Sequence, residues 1–251
     1  MAYQVSIKEA IANLYLVFSK YTTSDMFYCD CGCIEEEDVR KLASKKLRDL
    51  GEDDFCSYHG SALYTWGDLN HYKHFLPRIL EVHHQKEGRG LIDLYDMISK
   101  LDYASWSTWD QIEVQAIKDF IWADWNELLH ARMTVLEIDV IENYNFFLTL
   151  GKLLNAWKLE CNSKSLKNFV HFFYQNGTRL LSKDLKLNGE TYTNDLRSFL
   201  AKPCLIEILE KEFFHADEND KNYAAKVSAV TQMIECEKDL ATKNLDPLEK
   251  K

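Results

Sequence analysis

Residues 68–81 read Asp-Leu-Asn-His-Tyr-Lys-His-Phe-Leu-Pro-Arg-Ile-Leu-Glu. Apolar side chains recur here at intervals of three and four residues, the spacing of one helix face; they are Tyr72, Phe75, Leu76, Ile79 and Leu80. Asp68 stands where a carboxylate accepts hydrogen bonds from the unpaired N–H groups of a helix N-terminus. The stretch therefore predicts a helix that begins after Asp68, with a kink at Pro77.

The same spacing recurs along the rest of the chain, and capping boxes at Ser6–Glu9 and Thr108–Gln111 mark two further helix starts. It predicts helices at about Ile7 to Lys20, Glu35 to Gly51, Glu52 to Gly67, Leu91 to Leu101, Gln111 to Leu129, Ile138 to Leu150, Leu166 to Leu181, Leu196 to Phe214 and Tyr223 to Ile234. Asn188-Gly189 predicts a turn.

Turn-forming residues are scarce, with nine Gly and three Pro in 251 residues. All-β folds need such residues every 8–12 positions or so, and their scarcity favours long helices. The predicted fold is all-α, a single-domain antiparallel helical array or an irregular, solenoid-like bundle over residues 1–243. Residues 244–251 are predicted to form a polar C-terminal tail.

The formal net charge is −10 at pH 7, which disfavours nucleic acid and anionic membranes as partners and is compatible with a basic protein partner. No stretch approaches 18 uncharged apolar residues, so no membrane span is predicted. The N-terminus lacks the features of a signal peptide, and seven cysteines at uneven spacing do not resemble a disulfide framework. These features predict a cytoplasmic protein and leave its oligomeric state open.

Cysteines alternate at Cys29, Cys31 and Cys33, and Cys56 and His59 follow one predicted helix later. Together they offer the four nitrogen or sulfur ligands that a zinc site needs. Structural zinc sites usually space two cysteines by two to four residues, however, so the favoured interpretation is free thiols and no cofactor. Zinc at this cluster is the alternative.

The predicted helix after Asp68 carries further polar groups with two interpretations each. His71 and His74 are three residues apart and so share a helix face, which would allow them to bind a metal or to act in acid–base chemistry. Histidines at such positions are more often ordinary surface or core residues. Arg78 and Glu81 also share a face, and a structural ion pair is favoured over recognition of an anion.

A second aromatic group surrounds the predicted sixth helix and consists of Trp106, Trp109, Trp122 and Trp125. Ordinary core packing is favoured over a platform on which a ligand stacks, because aromatic residues dominate cores. Gly-rich phosphate loops and nucleophile motifs such as G-x-S-x-G are absent from the sequence, which lowers the expectation of an enzyme without deciding it.

The order of motifs from the cysteine loop through Thr65-Trp66-Gly67-Asp68 to Phe75-Leu76-Pro77-Arg78 resembles a family of uncharacterised bacterial proteins. The resemblance covers about half the chain, from Cys29 to Leu129. The family pattern has a C-x-x-C pair where this chain has alternating cysteines. The resemblance implies a bacterial, cytoplasmic, all-α protein and supplies no activity.

Three functions follow from these observations. The first is a non-enzymatic, acidic interaction protein that neutralises or regulates a basic partner; its candidate binding residues are Trp66, Asp68, His74, Arg78 and Glu81. The second is a metal-binding protein or metalloenzyme that uses the region from Cys29 to His84. The third is a small-molecule sensor with a tryptophan-lined pocket.

Overall fold

The computed structural model describes residues 5–87, 90–133, 136–182, 186–187, 190–191 and 193–244. Within these ranges the chain forms twelve α-helices, two short 3₁₀ turns and one pair of two-residue strands. The prediction of an all-α fold is confirmed. None of the described helices is both long enough and apolar enough to cross a membrane.

The helices are α1 (Ile7–Val17), α2 (Glu36–Ala43), α3 (Glu52–Ser61), α4 (Leu69–Gln85), α5 (Leu94–Tyr103), α6 (Gln111–His130), α7 (Ile138–Asn145), α8 (Leu150–Asn155), α9 (Lys164–Leu180), α10 (Thr193–Leu200), α11 (Cys204–Asn219) and α12 (Lys221–Asn244). The 3₁₀ turns are Leu47–Asp49 and Trp106–Thr108. Strands β1 (Lys186–Leu187) and β2 (Glu190–Thr191) pair antiparallel, with Leu187 opposite Glu190. The turn predicted at Asn188-Gly189 lies outside the described residues.

Contacts within the chain define two compact units, unit 1 (Met1–Asp124) and unit 2 (Trp125–Lys251). Helix α6 contains the boundary between them. The single domain over residues 1–243 stays a prediction. Of the predicted tail, residues 244–251, Asn244 is the last residue of α12 and the others lie outside the described residues.

The core of unit 1 is built on α4, whose predicted apolar face is buried as expected. Its Phe75 ring meets two aromatic side chains of α3, Phe55 at 5.8 Å and Tyr58 at 4.8 Å between ring centroids. Pro77 is buried inside the helix. Helix α4 also packs against α1, so it holds the N-terminal helices together by burying apolar surface on both sides.

The core of unit 2 is rich in aromatic residues. The Trp157 ring lies 6.0 Å from Trp125, 5.6 Å from Phe169 and 5.7 Å from Phe172. Each indole N–H is satisfied by a backbone carbonyl, Trp125 by Leu153 and Trp157 by Ser165, both at 3.0 Å. Satisfying the indole N–H groups removes the cost that an unpaired buried donor carries.

Two predicted helix ends in unit 1 are wrong. Helix α2 ends at Ala43, and Gly51 precedes the start of α3, where its N–H donates to the Asp54 carboxylate at 2.7 Å. Helix α3 ends at Ser61 instead of Gly67, because Leu63 has φ of 68°, which a right-handed helix cannot contain.

Three further boundaries differ from the sequence prediction. Helix α6 begins at Gln111 without Thr108 as its cap, because the Thr108 hydroxyl donates to Ser105 O at 2.8 Å within a 3₁₀ turn. The helix predicted from Ile138 is broken into α7 and α8. The helix predicted from Leu196 is broken into α10 and α11 just before Pro203, which disfavours helical geometry at the residue before it.

Candidate metal centre

The cysteine loop, residues 29–33, brings three thiols together. The Sγ atoms of Cys29, Cys31 and Cys33 all lie within 4.8 Å of one another, and those of Cys31 and Cys33 are 3.0 Å apart. Gly32 has φ of +85°, a left-handed conformation that glycine adopts without steric cost. The backbone therefore turns between Cys31 and Cys33 and directs their side chains to the same place.

These distances suit a metal ion. Zn–S bonds of about 2.3 Å at tetrahedral angles separate neighbouring sulfur atoms by about 3.8 Å. The distance of 3.0 Å between two of the sulfur atoms and the limit of 4.8 Å for all three lie on either side of that value, so the cluster is compatible with three sulfur ligands to one ion. Cys31 and Cys33 are exposed and Cys29 is partly exposed, which leaves the cluster open to an ion from solution.

The three thiols already share hydrogen bonds. Hydrogen bonds from Cys29 and Cys33 lower the pKa of Cys31, and the hydrogen bond with Cys31 together with desolvation raises the pKa of Cys33 to about 11. The hydrogen bonds among the three thiols therefore favour loss of the proton from Cys31 before Cys33. Thiolate is the form that binds metals, so a bound cation would take the place of the shared protons.

Two hydrogen bonds fix the cysteine loop to the Thr65–Asp68 corner. Cys29 N–H donates to Thr65 O and Gly67 N–H donates to Phe27 O, both at 2.8 Å, so that Tyr28 and Trp66 form an antiparallel bridge. Gly67 has φ of +70°, a conformation that glycine adopts without steric cost. The corner therefore holds the first cysteine from a segment more than thirty residues away in sequence.

Trp66 anchors this corner in the core. Its side chain is 0% exposed, and its ring meets Tyr58 of α3 edge-on at 5.3 Å. The Asp68 carboxylate accepts from the N–H groups of Asn70 and His71, at 2.8 and 3.1 Å, and caps α4 as predicted. Two of the sequence-derived binding candidates, Trp66 and Asp68, thus support the loop that carries the cysteines.

The paired histidines of α4 support the same loop. His71 Nε2 lies 3.0 Å from Ser24 O, and His74 Nδ1 lies 2.8 Å from Tyr21 O. Because a carbonyl only accepts, each of these ring nitrogens is the donor. Both histidines therefore hold the segment that leads into the cysteine loop, and no second metal group forms from them among the described residues.

Cys56 and His59, the other sequence-predicted ligands, do not join the cluster. In the described part of the chain, the metal-compatible group consists of Cys29, Cys31 and Cys33 alone. Cys56 is exposed on α3, and its thiol donates to Glu52 O at 3.5 Å. His59 is 5% exposed on the same helix, and burial lowers its pKa to about 4. The fourth ligand position is thus left open by the described residues.

Arg78 and Glu81 lie in a network within unit 1. Arg78 Nη1 donates to Glu81 Oε2 at 2.7 Å, and Arg78 Nε donates to Leu50 O at 2.6 Å. The Tyr15 hydroxyl of α1 donates to the same carboxylate oxygen at 2.6 Å. Two N–H groups of the guanidinium are thus used within the chain, which is the geometry of a structural ion pair.

A buried charge network in unit 1 escaped the sequence analysis. Glu113 is 0% exposed and accepts from Lys73 Nζ at 2.6 Å, Lys20 Nζ at 2.8 Å and the Tyr21 hydroxyl at 2.5 Å. Burial acts to raise the pKa of Glu113, but the hydrogen bonds outweigh it and lower the pKa. In the sequence, Lys73 directly follows Tyr72, which belongs to the predicted apolar face of this helix. A lysine beside a buried face was the one sign that a charge is buried here.

Three of the four tryptophans, Trp106, Trp109 and Trp125, are buried. In unit 1, Trp109 packs edge-on against Phe18 at 6.4 Å and beneath the Lys73 ammonium at 4.1 Å, and Trp106 is buried. In unit 2, Trp125 belongs to the aromatic core. A cavity of about 380 Å³ in unit 1 has no tryptophan in its lining; it is bounded by Lys20, Tyr21, Thr22, Ser24, Asp68, Asn70 and His71. The small-molecule sensor stays a prediction.

The acidic helix starts differ in how far they are engaged within the chain. Glu52 accepts from the N–H groups of Leu91 and Ile92, and Asp54 pairs with Lys45 at 2.7 Å. Residues 35–37 at the start of α2 are exposed. The basic protein partner stays a prediction. Of the two acidic helix starts, that of α2 has the exposed carboxylates that such a partner could contact.

No protein-family model, curated protein or solved structure matches this chain. The likeness to a bacterial family therefore stays a prediction.

Proposed function

We propose that this protein binds a thiophilic metal ion, zinc above all, through Cys29, Cys31 and Cys33. The observation that carries the proposal is the convergence of their three Sγ atoms to within 4.8 Å in an open loop. Thiolate ligands favour zinc and copper(I) over the hard cations magnesium and calcium. The support from α4 and the Trp66 corner adds to the argument, because it positions the loop before any ion arrives.

The number of protein ligands decides the kind of metal site. Structural zinc sites have four protein ligands, whereas sites with three keep one position for water or for another molecule. Three thiolates therefore favour a zinc ion that exchanges or takes an outside ligand over one that only stabilises the fold. The protein acts in this proposal as a metal-binding protein with an open coordination position.

Elemental analysis of protein purified without chelator tests the proposal. We expect about one zinc per chain, and a competition titration against a chromophoric chelator should yield a single tight site. Changes to groups that merely orient a ligand cost about 10–100-fold in affinity, so Cys31→Ser, which removes a ligand, should cost more than about 100-fold.

Cys56→Ser is the matched control, since Cys56 is an exposed thiol in the same unit and outside the cluster. It should retain full zinc affinity. Equal zinc binding by both variants, or no zinc binding by the reduced wild-type chain, would show that the cluster is a set of free thiols. Copper(I) bound in preference to zinc would keep the thiolate site and change its metal.

A further inference from the structure

Unit 2 contains a polar cavity of about 200 Å³ at helices α9, α11 and α12. Seven of its lining residues carry titratable groups that the metal proposal does not use: Lys167, His171, Glu212, His215, Asp220, Tyr223 and Lys226. Pockets for drug-sized ligands measure about 300–1,000 Å³, so this cavity suits a smaller molecule. At about 30 Å³ per water, it would otherwise hold six or seven water molecules.

The inner wall of the cavity contains a carboxylate that is only half satisfied. Glu212 is 0% exposed, and its Oε2 accepts from Asn162 N–H at 2.5 Å. Among the described residues, its Oε1 has no hydrogen-bond partner. Leaving a buried charged oxygen unpaired is costly, so this atom calls for a donor that enters the cavity.

Tyr223 presents a second unsatisfied group beside the first. Its side chain is buried, and in the described structure its hydroxyl also has no hydrogen-bond partner. Burial, followed by the negative charge and the nearby oxygen atoms of the Glu212 carboxylate, raises the pKa of the phenol, so the hydroxyl lies beside that carboxylate without reaching hydrogen-bond geometry. A ligand donor placed between them would meet an acceptor on each side.

Positively charged side chains also line the cavity, Lys167 on α9 and Lys226 on α12. Neither lysine forms an ion pair with a carboxylate within the described residues. Lys226 Nζ lies 3.5 Å from His171 Nδ1, and burial, with the Lys226 charge, lowers the pKa of that imidazole. The lowered pKa favours the neutral imidazole, and among the described residues neither ammonium group is paired with a carboxylate that would exclude an anion.

We propose that this cavity binds a small zwitterion, an α-amino acid, whose ammonium group meets Glu212 and Tyr223 and whose carboxylate meets Lys167 and Lys226. A ligand with one positive and one negative group satisfies both sides at once, whereas a simple anion would leave Glu212 unpaired. The small volume limits the side chain that such a ligand carries.

A thermal-shift screen of the proteinogenic L-amino acids at about 10 mM tests this binding. An amino acid at a hundredfold excess over its dissociation constant should raise the melting temperature by about 5 °C or more. For the best binder, calorimetric titrations then compare the amino acid with its decarboxylated amine and its deaminated acid. Glu212→Gln should weaken binding of the amino acid and of the amine at least about tenfold.

Lys226→Met should weaken binding of the amino acid and leave binding of the amine unchanged, because the amine lacks the carboxylate. Glu210→Gln on α11 and Lys221→Met on α12 remove the same charges at exposed positions and should bind normally. No shift with any amino acid, or full affinity in Glu212→Gln, would overturn the proposal, as would binding of inorganic phosphate with equal strength.

Discussion

Trp66 is the residue on which the cysteine loop depends most directly. We predict that Trp66→Ala lowers the free energy of unfolding by about 3–5 kcal/mol, the usual cost of removing a large buried aromatic side chain. Chemical denaturation followed by circular dichroism measures it. Tyr95→Ala is the control, since Tyr95 is 63% exposed and its loss should cost less than about 0.5 kcal/mol. Similar stabilities for both variants would contradict the buried role of Trp66.

His59 makes unit 1 sensitive to acid. Its pKa is lowered to about 4 in the folded chain, chiefly by burial, against about 6.5 when unfolded. Between these values the unfolded state takes up a proton that the folded state does not, so stability is present above about pH 6.5 and is lost as the pH falls. We expect the wild type to lose about 2 kcal/mol more than His59→Leu between pH 7 and pH 5. Equal losses in urea titrations at the two pH values would exclude His59 as the cause.

The first turn of α3 contains one carboxylate that is hydrogen-bonded within the chain and one that is exposed to solvent. Asp54 accepts from Lys45 and from Gly51 N–H, while its neighbour Asp53 is exposed. Asp54→Asn should lower the unfolding free energy by about 1–2 kcal/mol, because the hydrogen bonds from Lys45 and Gly51 lose their charged acceptor. Asp53→Asn removes the same charge from the same helical turn and should change it by less than about 0.5 kcal/mol. Thermal denaturation of the two variants side by side gives the comparison.

The helix ends show where local sequence is sufficient and where it is not. The starts of α1 and α4 were predictable, because Ser6 and Asp68 cap their own helices through contacts within three residues. The early ends of α2 and α3 were not, because they follow from a 3₁₀ turn and from the positive φ of Leu63. Leucine at such a position has no signature in the sequence.

The whole molecule carries a net charge of −10, and self-repulsion of like charges disfavours its compact state. Potassium chloride at about 0.3 M reduces the Debye length to about 6 Å and screens this repulsion. We therefore expect the melting temperature to rise as this salt is raised from about 20 mM. A fall would mean that exposed ion pairs, such as Lys20 with Asp110, outweigh the repulsion.

The sequence predicted the all-α architecture, because helical periodicity is a local property that survives in every core helix. The candidate site was only partly accessible. The cysteines were visible, but their convergence depends on the turn at Gly32 and on a hydrogen bond from Cys29 to Thr65. Glu212 was missed altogether, since nothing in the sequence distinguishes it from the other three glutamates of α11 as a buried carboxylate with one oxygen that lacks a hydrogen-bond partner.

The bridge between Tyr28 and Trp66 has a consequence for solvent exchange. The amide hydrogens of Cys29 and Gly67 are held by carbonyls of the opposite segment, so each exchanges with deuterium only when the bridge opens. The Gly32 amide, in an exposed turn, should exchange quickly in comparison. The exchange rate at Cys29 therefore measures how often the cysteine loop detaches from its support, whether or not an ion is bound.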